Sequence, residues 1–201
     1  MHKAVLIDLG KTLINFDFER AYRAIGRFCS CAASEIPERI APAGLAERFE
    51  CGWIEPRDFF LQLAGALHLR LDYEGFCRIW NSIFGEPLIP ESVLEGLAAR
   101  YRLVLVSNTN PIHFEALRRE YPFLRLFHET ALSYEVHAIK PQPAIFQAAI
   151  ERAGCLPGEC FYADDIASFA EVARGLGMDA VRFEGWGQLE QDLTARGIRW
   201  S

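Results

Sequence analysis

The chain has 201 residues, about half of them apolar and a quarter charged, which suits a soluble α/β protein of one domain with a large insertion, or two small domains. Its formal net charge is -6 and it has no lysine- or arginine-rich run, which argues against nucleic acid as a partner. Only a handful of apolar residues precede Asp8, too few for a signal peptide or a membrane span, so a cytoplasmic protein without a membrane partner is expected.

Ala4-Val5-Leu6-Ile7 is a short apolar run that reads as a strand buried on both faces, and it breaks on Asp8 into Leu9-Gly10-Lys11-Thr12. A carboxylate at the end of such a strand, followed by a glycine-containing loop, sits where open α/β sheets bind ligands. Helical spacing of Phe18, Ala21, Tyr22, Ile25, Phe28 and Cys29 predicts a helix from Asp17 to about Ser30. Pro37 and Pro42 interrupt the chain. Further helices are expected from Pro56 through Leu67 and from Tyr73 through Phe84, ended by Gly85, Pro87 and Pro90. Residues from about 16 to 88 thus read as helical throughout, an insertion without a strand.

From Pro90 onward strands and helices alternate. Val93, Leu94 and Leu97 mark a helix, and Leu103-Val104-Leu105-Val106 a second buried strand ending on Ser107-Asn108-Thr109-Asn110. Pro111 can open the next helix. A weak strand spans Thr130 to Ser133, and a helix after Lys140-Pro141 stops at Gly154. Cys160 to Ala163 is a strand ending on Asp164-Asp165; after a helix that ends at Gly177, Ala180 to Phe183 is the last clear strand. Such repetition implies a doubly wound parallel sheet with helices on both faces.

Parallel strands bring their carboxyl ends to one edge, so Asp8, Ser107-Asn108 and Asp164-Asp165 are expected in one crevice, with Lys140 in a loop able to add positive charge. Carboxylates gathered with a lysine and a hydroxyl suit Mg²⁺ and a bound phosphate. The six cysteines contain no C-x-x-C pair and are read as buried thiols of a reducing compartment. Trp53, Trp80 and the phenylalanines of the insertion are read as its core; His68, His128 and His137 receive no role.

The segments Asp8-Leu9-Gly10-Lys11-Thr12-Leu13, Val104-Leu105-Val106-Ser107-Asn108, Lys140-Pro141 and Tyr162-Ala163-Asp164-Asp165 resemble, in order and spacing, the four motifs of the haloacid dehalogenase-like hydrolase superfamily. The insertion resembles the all-helical cap of its first subfamily, and Glu50-Cys51-Gly52-Trp53-Ile54 leading to Phe59 is similar to a cap pattern of that branch. The resemblance implies a Rossmann-like core of residues 1–15 and 89–201, a helical cap of residues 16–88, and Mg²⁺-dependent hydrolysis of a small phosphorylated metabolite by a monomer or homodimer. It makes Asp8 the nucleophile that forms an aspartyl phosphate, with Leu9, Gly10, Ser107 and Asn108 around the phosphate. It makes Lys140 the charge-neutralising catalytic group and assigns the metal to Asp8, the Gly10 carbonyl, Asp165 and Asp164.

Two departures stand out. Gly10 occupies the position of the family's second aspartate, the general acid and base, and Phe169 stands where Asp or Asn is common. Asp8-Leu9-Gly10 and Ser107-Asn108-Thr109-Asn110 resemble a bacterial sugar-phosphatase branch, and His113 or Lys11 could serve in proton transfer, although a surface or capping histidine is the preferred reading of His113. The alternatives are a 2-haloacid dehalogenase, whose branch also lacks that aspartate, and a non-catalytic member that binds a phosphorylated ligand or a protein.

Overall fold

The computed structural model describes residues 1–41 and 44–201; Pro42, one of the two interrupting prolines, lies outside the described residues. At its centre is β1 (Ala4–Asp8), buried at all five positions. It pairs in parallel with β4 (Arg102–Ser107) on one side and β6 (Cys160–Asp164) on the other. With β5 (Glu129–Leu132) and β7 (Asp179–Arg182) the order is β5-β4-β1-β6-β7, every pairing parallel. Successive side chains alternate faces: Val5 and Ile7 enter one core, with residues of α6 (Glu91–Ala98), α7 (Pro111–Glu120) and α11 (Trp186–Ala195). Ala4 and Leu6 enter the other, with α9 (Pro143–Ala153) and α10 (Ala167–Gly175). The sheet is doubly wound, as the alternation of elements implies.

The insertion has a core of its own. Its helices are α1 (Phe18–Ile25), α2 (Ile36–Ile40), α3 (Leu45–Glu50), α4 (Pro56–Leu67) and α5 (Tyr73–Trp80). Phe49 stacks on Phe59 with ring centroids 4.1 Å apart, and Phe76, Trp80 and Ile112 of α7 join the cluster. Phe76 is fully buried and Trp80 nearly so.

The expectation of an insertion without strands is corrected: the helix through Phe84 ends at Trp80, and Phe84–Pro87 forms β3, antiparallel to β2 (Ile14–Phe16). This ribbon joins the two crossings between insertion and core. The first helix is also shorter than expected; Asp17 caps it by accepting the Glu19 N–H, and the chain turns away after Gly26. Trp53 is 59% exposed, not part of the core. The cysteines are free thiols, four buried and Cys77 and Cys155 half-buried. Among the described residues no helix is long and apolar enough to cross a membrane.

The loop after α3 touches α8 (Ser133–Val136) and the residue that follows it. The His137 Nδ1–H donates to the Cys51 carbonyl at 2.9 Å. Gly52 has φ +67°, and a Cβ there would overlap the Tyr134 backbone carbonyl. Gly52→Ala combines left-handed strain with a backbone clash. It is expected to lower unfolding free energy in urea by about 1–3 kcal/mol; an unaltered midpoint would show that this loop is free of α8.

Candidate active site

The carboxyl edge of the sheet gathers four charged groups. Lys140, brought by the loop between α8 and α9, is buried and donates to Asp8 Oδ1 at 2.5 Å and to Asp164 Oδ2 at 2.7 Å. Asp8 ends β1 and Asp164 ends β6, so neighbouring parallel strands hold both carboxylates at one ammonium. The Tyr162 hydroxyl donates to Asp164 Oδ2, and the Ile166 N–H to Asp164 Oδ1 at 2.9 Å. Tyr162 and Asp164 are two apart on one strand and share its face, which is how the sequence could have flagged the tyrosine.

Asp165 completes the cluster: Asp8, Asp164 and Asp165 each present an oxygen within 4.8 Å of the others. Its backbone N–H donates to the buried Thr12 hydroxyl at 3.2 Å, tying the first loop to the fourth. Burial pushes the Asp8 carboxyl up, as does Asp164, while the Lys140 ammonium pulls it down. Burial opposes the charge on Lys140, but Asp8 and Asp164 outweigh it and hold the ammonium above its ordinary range. Burial, then Asp164, also raises Asp165. Three carboxylates facing one ammonium form an oxygen-donor set with excess negative charge, which fits a hard divalent cation such as Mg²⁺.

The remaining expected residues converge here in different ways. The Leu9 side chain is sunk in the core, and its carbonyl accepts the Leu13 and Ile14 N–H groups, closing the turn. Ser107 is buried at the end of β4. Asn108 grips the lysine loop: Nδ2 donates to the Lys140 carbonyl at 3.1 Å and Oδ1 accepts the Lys140 N–H at 2.7 Å. Phe169 supplies an aromatic face 5.3 Å from Lys140 Nζ, a cation–π contact where an acid or amide was expected.

At Gly10 a Cβ would lie 2.6 Å from Phe16 Cε1, so the ring covers the space a longer side chain would use. Two cavities meet there. Gly10, Phe16 and Asn108 line both the one that holds Asp8, Lys140 and the other acids and a second of about 210 Å³ between insertion and core.

Of the two readings of His113, the structure favours a structural histidine, buried rather than at the surface. The Asn110 Oδ1 caps α7 by accepting the His113 N–H, so its amide nitrogen donates to His113 Nδ1 at 3.1 Å. The Nε2–H then donates to the Trp80 carbonyl at 3.2 Å. Both ring nitrogens are occupied, and burial lowers the pKa to about 4, so the ring stays neutral. Lys11 Nζ donates to Asn15 Oδ1 at 2.7 Å and sits over the Phe16 ring, on the rim of the acidic cavity.

Two measurements test this geometry. Gly10→Ala is expected to destabilise the wild type but much less a Phe16→Ala background, a coupling of about 0.5–3 kcal/mol in denaturant titrations; additivity would mean that the ring does not cover position 10. The unfolded imidazole of His113 binds its proton near pH 6.5 and the folded one near 4. The native state therefore gains from the neutral ring above pH 6.5 and loses that gain as pH falls from 6.5 through 4. Relative to His113→Gln, the wild type should lose about 3 kcal/mol of stability over that range; a constant difference would mean that the ring is solvated.

The haloacid dehalogenase-like hydrolase family model matches residues 2–177. The D-ribitol-5-phosphate phosphatase of Bacteroides thetaiotaomicron is 26% identical over 201 residues, covering 96% of this chain and 98% of the relative. The crystal structure of a HAD family enzyme from Bacteroides thetaiotaomicron, in complex with magnesium and inorganic phosphate, superposes with a TM-score of 0.83 at 31% identity, covering 94% of this chain and 99% of that one. A predicted HAD-like family hydrolase from Porphyromonas gingivalis superposes with a TM-score of 0.81 at 25% identity over 100% of both chains. With a matching family model across most of its length and the acidic, lysine-bridged edge just described, the chain belongs to the haloacid dehalogenase-like hydrolases.

Proposed function

We propose that this protein is a Mg²⁺-dependent phosphatase that hydrolyses small phosphate monoesters, sugar or polyol phosphates among them, through an aspartyl phosphate on Asp8. The observation that carries the reading is the buried Lys140 bridging Asp8 and Asp164, with Asp165 beside them. The similarity to a ribitol-phosphate phosphatase and to a magnesium and phosphate complex supports it.

Asp8, Asp165, Asp164 and the Gly10 carbonyl would hold Mg²⁺, which when bound supplies positive charge against the phosphoryl oxygens. One Asp8 oxygen attacks phosphorus while Lys140 offsets the negative charge shared by nucleophile and phosphate. Ser107 donates a hydrogen bond to the phosphoryl group, and Asn108 acts through the Lys140 backbone that it grips. Residues 16–88 serve as a cap over the core of residues 1–15 and 89–201, closing the second cavity and selecting the ester. The dehalogenase reading rests on Gly10 alone, and an ester on carbon has no use for the acidic cluster that gathers Asp164 and Asp165.

The test is p-nitrophenyl phosphate hydrolysis with and without Mg²⁺. Turnover is expected with Mg²⁺, lost on chelation and reduced to background by Asp8→Asn. Turnover by Asp8→Asn, or release of chloride from 2-chloropropionate without phosphatase activity, would overturn the proposal.

A further inference from the structure

An alkyl phosphate releases an alkoxide unless a proton meets the departing oxygen, and position 10 offers no side chain for this. Nor can a neighbour reach in from the same point, because the Phe16 ring covers it. The leaving group must therefore extend from the acidic cavity, past Gly10 and Phe16, into the second cavity that shares them. That cavity is mostly aromatic and aliphatic, and its titratable side chains are Glu50 and His113. His113 has both nitrogens committed. Glu50, the last residue of α3, is partly buried and lines the space from the insertion side.

Glu50 is held there by the loop that follows it. The two residues after it are fixed against α8 by the His137 bond to the Cys51 carbonyl and by the close approach of Gly52 to Tyr134. Among the described residues, no side chain hydrogen-bonds its carboxyl. Burial, assisted by Glu47 on the same helix, raises its pKa to about 7. The elements packed on α3 carry further charged groups, Arg57 and Asp58 on α4 and Glu135 on α8, with His137 beyond, and none of them perturbs it. The carboxyl thus exchanges its proton close to neutral pH, the range in which a group can both give and take a proton.

We propose that Glu50 is the general acid of this enzyme, donating its proton to the leaving alcohol of an alkyl phosphate from the cap side. The inference rests on the phosphatase reading above. As the Asp8 oxygen bonds to phosphorus, the bond from phosphorus to the ester oxygen breaks and its electron pair stays on that oxygen. The Glu50 proton joins it, giving the free alcohol and a carboxylate. Water then attacks phosphorus, its proton passes to Glu50, and the bond between Asp8 and phosphorus breaks to release inorganic phosphate. The substrate class is a monoester with a hydroxylated aliphatic leaving group, whose hydroxyls a protonated carboxyl can also bind.

The experiment compares wild type, Glu50→Gln and Glu50→Ala on ribitol 5-phosphate and on p-nitrophenyl phosphate, whose leaving group needs little protonation. Glu50→Gln is isosteric, and its melting curve reports folding. It should lower kcat on the alkyl ester by about 10²–10⁴, with a loss at least about tenfold smaller on the aryl ester. Wild-type turnover of the alkyl ester should fall as pH rises above about 7, where Glu50 loses its proton, and this limb should vanish in Glu50→Gln. Equal losses on both esters, or a retained limb, would overturn the role of Glu50 while leaving the phosphatase standing. Absence of Mg²⁺-dependent aryl phosphatase activity in the wild type would instead remove the reading on which it rests.

Discussion

The lysine ammonium shared by Asp8 and Asp164 is the contact on which the rest of the site depends. Removing one partner of a buried ion pair typically costs about 3–5 kcal/mol, because the survivor is left charged and unsolvated. Here two carboxylates would be stranded, so the chain surrounds the lysine with restraints. Asn108 holds its backbone at both polar groups, Tyr162 shares Asp164, and Phe169 turns a ring face to the ammonium. A fully apolar replacement of such a cluster is often as stable. Stability alone therefore does not account for the cluster: it gathers buried carboxyl groups around one ammonium, an oxygen-donor set that suits a cation.

Glycine at position 10 follows from what covers it. The antiparallel β2 and β3 bring Phe16 over the first loop, and the same ribbon carries Phe84 to the wall of the second cavity. An acid projecting from position 10 would have to displace that ring. The ring in turn lies between the cavity that holds the acids and Lys140 and the second cavity, with Asn108 at the seam. Asp8, Lys140, Asp164 and Asp165 all line the first cavity, whereas the second carries Glu50 among aromatic and aliphatic side chains.

Much of this was legible from periodicity. Buried parallel strands are continuous apolar runs, and their polar ends point to Asp8, Ser107, Asp164 and Asp165, with Lys140 read from the loop before its proline. The β2 and β3 ribbon was not legible, because three residues pair with a partner some seventy positions away and carry no alternation of their own. The helices α2 and α3 are five and six residues long, too short for a helical period to emerge. Trp53 misled because an aromatic residue in an apolar stretch reads as core, whereas it lies in a turn held by Gly52. For His113 the sequence left two readings, proton transfer or a capping or surface histidine, and the surrounding rings and the Trp80 carbonyl decide for a buried, neutral structural group.

The segment from Ser133 to Lys140 links these parts mechanically. At one end the Ser133 hydroxyl accepts from and donates to the backbone of Thr109, fixing the loop after β4. In the middle, Tyr134 and His137 receive the loop that follows Glu50. Three residues later the same backbone presents Lys140 to Asp8. Seating the insertion and placing the lysine therefore act on one short stretch of chain, whose slack is small because both ends are hydrogen-bonded to the strand β4 turn. The two cavities are thereby coupled, since the loop that follows Glu50 and the ammonium beside Asp8 are held by the same eight residues.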